Sequence, residues 1–220
     1  MSLTVLFSIT RGSLAGLALG LVVFGWVIPH GANPVFWWLS RSAGITAYGL
    51  LWLNVVSGLL LSGRWLRDRL APAMIAQVHQ TLSGMALGFS LFHALILLGD
   101  HHLGLSWKDL LLPFAADFAP QWMVAGQLAL ALMGALILTT ALRRRLGNAA
   151  WRAIHLTAYG AYWLALAHAL AIGTDAFELL VLYGLTGASV LLLTTARILL
   201  QTGTPQRRPR PSQQAATHGR

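Results

Sequence analysis

Six stretches of this chain are each long and apolar enough to cross a lipid bilayer, and nothing else in the sequence constrains the fold as strongly. They cover residues 13–29, 42–62, 72–98, 122–142, 153–172 and 177–200. A spanning helix needs about 20 predominantly apolar residues. In lipid every backbone N–H and C=O must be satisfied internally, so runs of this length are read as helices. Charged residues are 10 % of the chain, against roughly 25 % in a soluble domain. The surface cannot be covered with charge, and the main solvent is expected to be lipid. Residues 1–200 are therefore expected to form an all-α, polytopic, six-transmembrane-helix bundle. Residues 201–220, rich in Pro, Gln and Arg, are expected to be a disordered basic cytoplasmic tail. The first apolar run follows Arg11 without a convincing cleavage site, so it reads as a retained helix.

The net charge of +9 does not point to nucleic acid, because the cations lie between the apolar runs and in the tail. They sort by side instead. Arg64, Arg67 and Arg69 fall between the second and third runs, and Arg143, Arg144, Arg145 and Arg152 between the fourth and fifth. Arg11, Arg197 and the tail arginines fall on that same side of a six-helix topology. The other side carries Asp100, Asp109, Asp117, Asp175 and Glu178, with Arg41 and Lys108 as its cations. Lys and Arg collect in cytoplasmic loops, so both termini are expected in the cytoplasm of a protein of the cytoplasmic (inner) membrane. Residues 105–118 mix Trp, Leu and Phe with Lys108, Asp109 and Asp117, and read as an interfacial segment.

The chemistry-bearing residues are histidines. The chain has no cysteine, which excludes disulfides, thiolate metal sites, iron–sulfur clusters and covalent haem attachment. Of eight histidines, four fall within spans: His79 and His93 in the third, His155 and His168 in the fifth. Ionisable residues in spans are costly and mark function. The third and fifth helices run parallel, so His79 matches His155 in depth and His93 matches His168. The 14 residues from His79 to His93 span about 21 Å and return to nearly the same helix face. The 13 residues from His155 to His168 leave those two roughly 140° apart on an ideal helix, so an irregularity or tilt is required there. Each pair suits a haem iron held from opposite faces.

Three other readings stand beside this one. The histidines can be hydrogen-bonded packing residues, though four at matched depths argue against it. Zinc takes imidazole readily, but two pairs about 21 Å apart cannot share one ion. A proton-relay transporter would more naturally carry Asp or Glu in mid-span. Gly84 and Gly88 lie between the third-helix histidines, where they admit a flat ring or serve close helix packing. Arg152, three residues before His155, is placed to meet an inner haem propionate, and Arg41 an outer one. Thr81, Thr157 and Ser83 are candidates to fix the imidazole rings. Phe89, Phe92, Tyr159, Tyr162 and Trp163 lie between the histidine levels and read as packing.

With these residues in place, the sequence resembles the ferric reductase-like transmembrane domain family over about residues 38–200. That family includes the membrane parts of NADPH oxidases and ferric reductases, and the haem-binding membrane subunit of the bacterial methionine sulfoxide reductase system. Besides the two histidine spacings, WLSRSAGITAYGLLWL around Arg41, LLPF at 111–114, WRAIH at 151–155 and HALAIGTD at 168–175 look like its stand-alone bacterial branch. The resemblance implies that His79 pairs with His155 and His93 with His168, each pair holding a b-type haem. It implies a membrane cytochrome moving electrons from the cytoplasm to an acceptor outside. Some haem-binding subunits of the methionine sulfoxide branch lack the fourth histidine, whereas this chain has all four, which favours two haems. NADPH oxidases continue into a flavin and nicotinamide domain, and only about 20 residues follow the last run here, without a Gly-rich dinucleotide motif. The expected donor is therefore a separate flavoreductase, which would bring the FMN or FAD, or a membrane quinol. The expected acceptor is outside, and a periplasmic reductase anchored by this chain is the alternative role.

Overall fold

A computed structural model describes residues 35–62, 71–100 and 103–202. All regular structure among them is helical: α1 (Val35–Ser62), α2 (Pro72–Ile96), α3 (Trp107–Leu111), α4 (Pro120–Ala141), α5 (Arg143–His155), α6 (Thr157–Ile172) and α7 (Leu180–Thr202). The first apolar run, the arginines at 64–69, His101, His102 and the tail beyond Thr202 lie outside the described residues.

Four helical segments are long and apolar enough to cross a membrane: Val35–Ser62, Pro72–Gly99, Pro120–Ala141 and Leu180–Leu200. They correspond to the second, third, fourth and sixth apolar runs, and large apolar side chains on their outer faces are open, Leu138, Val181 and Leu192 among them. Such a surface suits lipid and not water. Prolines mark two starts, because the first helical position does not miss an N–H. Pro72 opens α2 and Pro120 opens α4, the latter after Ala119 turns the chain with φ 41°.

The fifth run is divided. Its regular hydrogen-bond ladder is interrupted at Leu156, where the backbone stays right-handed (φ −65°, ψ −22°), so α5 ends at His155 and α6 begins at Thr157. Gly147, with φ 77°, sets an earlier bend that separates Arg143–Leu146 from the stretch carrying Trp151 and His155. The expected interfacial segment contains the short helix α3, capped by Ser106 and Asp109, with Trp107, Leu111, Phe114 and Phe118 exposed around it.

Helix α1 is the hub. It packs along α2 and also meets α6 and α7, while α4 packs against α6. The core between them holds Tyr48, Leu51, Ala86, Met133, Tyr162 and Val190. Its buried hydroxyls are satisfied inside: Tyr48 Oη lies 3.1 Å from Tyr162 Oη and 2.6 Å from Thr186 Oγ1. Unpaired hydroxyls in lipid-like surroundings would be costly, so this triad fixes how α1, α6 and α7 register against one another. Above and below this core stand the four histidines.

Candidate functional site

Helix α2 presents His79 near its start and His93 near its end; α5 ends on His155, and α6 carries His168. The fold brings them together in two pairs. The rings of His79 and His155 face each other with centres 6.1 Å apart and planes at 64°. Those of His93 and His168 are 6.3 Å apart at 85°. We term the first pair inner, for the arginine-rich segment beside it, and the second outer, for its nearness to Asp175. The interruption at Leu156 lies between His155 and His168, where the 13-residue spacing requires a departure from the ideal helix.

At 6.1 and 6.3 Å, with steeply inclined planes, the two rings of each pair stand at edge-to-face distance. One metal ion held between two imidazoles would set the same separation. An iron bonded to two imidazole nitrogens at about 2.0 Å each, with each nitrogen about 1.1 Å from its ring centre, sets the centres about 6.2 Å apart. Each pair supplies two ligands only. Among the described residues no three His, Asp or Glu side chains gather into a metal-holding group, so neither pair offers the tetrahedral set that zinc requires. A planar macrocycle that brings its own four nitrogens would ask of the protein only the two imidazoles each pair supplies.

Three of the four rings are held at Nδ1 by backbone. His93 Nδ1 donates to the Ser40 carbonyl at 2.8 Å, His79 Nδ1 to the Asn54 carbonyl at 3.0 Å, and His168 Nδ1 to the Trp122 carbonyl at 2.8 Å. A carbonyl only accepts, so Nδ1 carries the proton in these three rings and Nε2 keeps its lone pair. Such partners fix a ligand's tautomer and raise its basicity. Ser40 Oγ and Ser57 Oγ lie near the same nitrogens of His93 and His79, at 3.2 and 3.1 Å.

These three acceptors share one construction. Each carbonyl lies one helical turn before a glycine: Ser40 before Gly44, Asn54 before Gly58, Trp122 before Gly126. The Nδ1–Cε1 edge of the ring lies where that glycine's side chain would be. A Cβ at Gly44 would stand 3.0 Å from His93 Nδ1, one at Gly58 3.1 Å from His79 Cε1, and one at Gly126 2.7 Å from His168 Nδ1. The glycine removes the side chain that would otherwise screen the carbonyl, and the ring takes its place. These seats were not among the sequence-predicted site residues. The hydroxyls proposed from sequence do something else: Thr81 Oγ1 donates to Gln77 O and Thr157 Oγ1 to Ile154 O, both within their own helices. Ser83 Oγ lies within hydrogen-bond reach of Asn54 Oδ1 and His79 O and so braces the inner seat without touching the ring nitrogen. Gly84 is buried in α2, while a Cβ at Gly88 would meet nothing within 4 Å.

His155 has no seat. Its Nδ1 is buried and meets no partner. Its ring stacks on Trp151, with centres 4.9 Å apart at 28°, and the Arg143 guanidinium covers Trp151 at 4.0 Å. Trp151 Nε1 in turn donates to Thr140 Oγ1 at the end of α4, at 3.2 Å.

The two sequence-predicted arginines differ. Arg41 follows the Ser40 seat directly, forms an ion pair with Asp175, donating from Nε at 2.7 Å, and lies over the Trp37 ring at 4.0 Å. It ties α1 to the chain just beyond α6, beside the outer pair. Arg152 is exposed and its Nε reaches only Asn148 O, at 3.4 Å.

Fold and site together define, among the described residues, an all-helical bundle with four helices long and apolar enough to cross a membrane and two facing pairs of imidazoles. Residues 35–175 match the model of the family described as a domain of unknown function (DUF8596), and the chain belongs to that family. The match begins at the first residue of α1 and ends at Asp175, so it takes in all four histidines, the three seats and the Arg41–Asp175 ion pair, and stops before α7. No curated protein and no solved structure matches the chain.

Proposed function

We propose that this protein is a di-haem b-type membrane cytochrome that carries electrons across the cytoplasmic membrane. The observation that supports it best is the gathering of four histidines into two facing pairs, with ring centres 6.1 and 6.3 Å apart, a separation one iron between two imidazoles would also give. In this reading His79 and His155 hold the inner haem b, and His93 and His168 the outer one. When bound, haem would supply a one-electron couple.

The chain's own residues do the rest. The Ser40, Asn54 and Trp122 carbonyls hold three imidazoles as Nε2 ligands. Histidines 14 residues apart on α2 set the two sites about 21 Å apart along the helix, close enough to the depth of a bilayer core for electrons to cross in two steps. Tyr48, Tyr162 and Trp163 fill the space between as packed core. Arg41 beside the outer pair, and Arg143 and Arg152 on the helix that carries His155, are the cations that could meet haem propionates. With six spans and both termini in the cytoplasm, as the charge distribution of the sequence suggests, the inner pair would lie on the donor side. A separate flavoreductase carrying FMN or FAD, or a quinol, would deliver the electron, and an extracytoplasmic acceptor, free or part of a periplasmic reductase, would receive it.

The test is directional electron transfer. The purified chain, reconstituted with haem into vesicles loaded with ferricyanide, is given dithionite from outside. The trapped ferricyanide should bleach, and should stop bleaching in His93→Ala. Two haems in place with no faster bleaching than protein-free vesicles would refute the function.

A further inference from the structure

Three of the four imidazoles are fixed twice over, by a carbonyl acceptor on Nδ1 and by a glycine seat against the ring edge. His155 has neither. The Trp151 ring lies against its face. Stacking sets the plane of an imidazole but leaves it free to slide and turn within that plane, and that rotation is what aims Nε2. The missing acceptor also weakens His155 as a donor, because a hydrogen bond from Nδ1 is what raises ligand basicity. The backbone adds a third difference. His155 is the last residue of α5, and the ladder is interrupted at the next residue, Leu156, whereas His79, His93 and His168 stand within continuous helices. The Arg143–Trp151 stack backs the ring without offering an acceptor, since guanidinium and indole N–H groups only donate.

We propose that His155 is the detachable ligand of the two pairs, so that the inner site, and not the outer, opens to take a small neutral ligand at the position His155 leaves. This rests on the di-haem reading above. The step is a ligand exchange in which the iron–nitrogen bond to His155 breaks and the bond to the incoming molecule forms, with no change in electron count. Trp151 keeps the released ring stacked beside the site, ready to return. A site of this kind would sense or bind a diatomic gas on the side where electrons enter.

Carbon monoxide is the probe. The full chain is purified with its haem, reduced with dithionite and titrated with carbon monoxide, with haem counted independently as the pyridine haemochrome. The expected result is a carbon monoxide spectrum from about half of the haem, one ligand for two irons. His93→Ala, which removes the outer site, should leave the reactive haem in place. Trp151→Leu should speed carbon monoxide uptake several-fold per haem retained, with haem counted on the same sample. Two haems with no carbon monoxide shift, or both reacting alike, would overturn the proposal and leave the cytochrome reading standing. A chain that takes up no haem would overturn both. Because the unmodified protein gives the decisive stoichiometry, the test survives a variant that fails to fold.

Discussion

The outer and inner histidine pairs are built from the same parts to different standards. In the outer pair both rings are seated, His93 on α1 at Ser40 and Gly44, His168 on α4 at Trp122 and Gly126. In the inner pair His79 is seated at Asn54 and Gly58, and His155 rests on Trp151 alone. The outer pair is further braced by the Arg41–Asp175 ion pair and by Gln127, beside Gly126, whose Nε2 donates to the Asp109 carbonyl at 2.7 Å. The lesson is that a ligand's side-chain identity is half of a site. The other half is a backbone carbonyl made reachable by a missing side chain.

Several substitutions would break or sharpen that contrast. The largest effect is expected from Gly126→Ala. Its Cβ would sit 2.7 Å from His168, against backbone-held ring atoms that cannot yield cheaply, so the outer haem should be lost while the inner remains. Gly44→Ala and Gly58→Ala impose milder contacts, 3.0 and 3.1 Å, and should shift the spectrum and potential of the outer and inner haem respectively, with little loss of either. Equal loss from all three, counted by haemochrome, would argue against the seats.

The ring planes offer a second contrast. Axial imidazoles at right angles leave the iron d orbitals nearly degenerate, which gives ferric haem a strongly anisotropic low-spin EPR signal. With planes at 85° outside and 64° inside, two signals should be resolved, the more anisotropic one disappearing in His93→Ala. Coincident signals would mean that the pairs are not distinguished in this way.

Smaller effects belong to the outer brace. The Arg41–Asp175 pair is partly exposed, so a double-mutant cycle with Arg41→Gln and Asp175→Asn should give a coupling of only about 1 kcal/mol in thermal stability. Its outer-haem spectrum should shift, and its inner one should not. Least of all is the contribution of Asp109. The Ser106 hydroxyl and then its amide, both 2.7 Å from Oδ2, hold this carboxyl below its usual range. A depressed carboxylate stabilises above its unfolded pKa of about 3.9 and loses that contribution as pH falls through the lower folded value. Below that window α3 should loosen, seen as faster proteolysis around Trp107, and Asp109→Asn should remove the pH dependence.

The sequence makes some of this legible and hides the rest, for physical reasons. Apolar runs locate α1, α2, α4 and α7 within a few residues, because a bilayer demands length and apolarity and little else. The boundary at α1 shifts most: the helix begins at Val35, seven residues before the expected 42, because Phe36, Trp37 and Trp38 continue its apolar face through the polar Ser40–Ser42 turn. The break of the fifth run at Leu156 has no proline or glycine to locate it, and only the 13-residue spacing of His155 and His168 signals that an irregularity is needed. The four histidines stand out because charge-bearing groups in a span are rare. Their seats do not, since Ser40, Asn54 and Trp122 act through carbonyls that every residue has. Gly44, Gly58 and Gly126 are visible as glycines, but only the fold shows that a ring occupies the space each leaves. The hydroxyls of Thr81 and Thr157 looked plausible by proximity in sequence, yet helical threonines satisfy themselves on the preceding turn.

The central claim is that each pair of facing imidazoles holds one haem iron. The most direct measurement is the visible spectrum of the detergent-purified chain, oxidised and dithionite-reduced, with a pyridine haemochrome count on the same sample. Sharp reduced b-type bands and about two haems per chain, as two axial pairs imply, are the predicted result. A colourless protein that also fails to take up added haemin would contradict it.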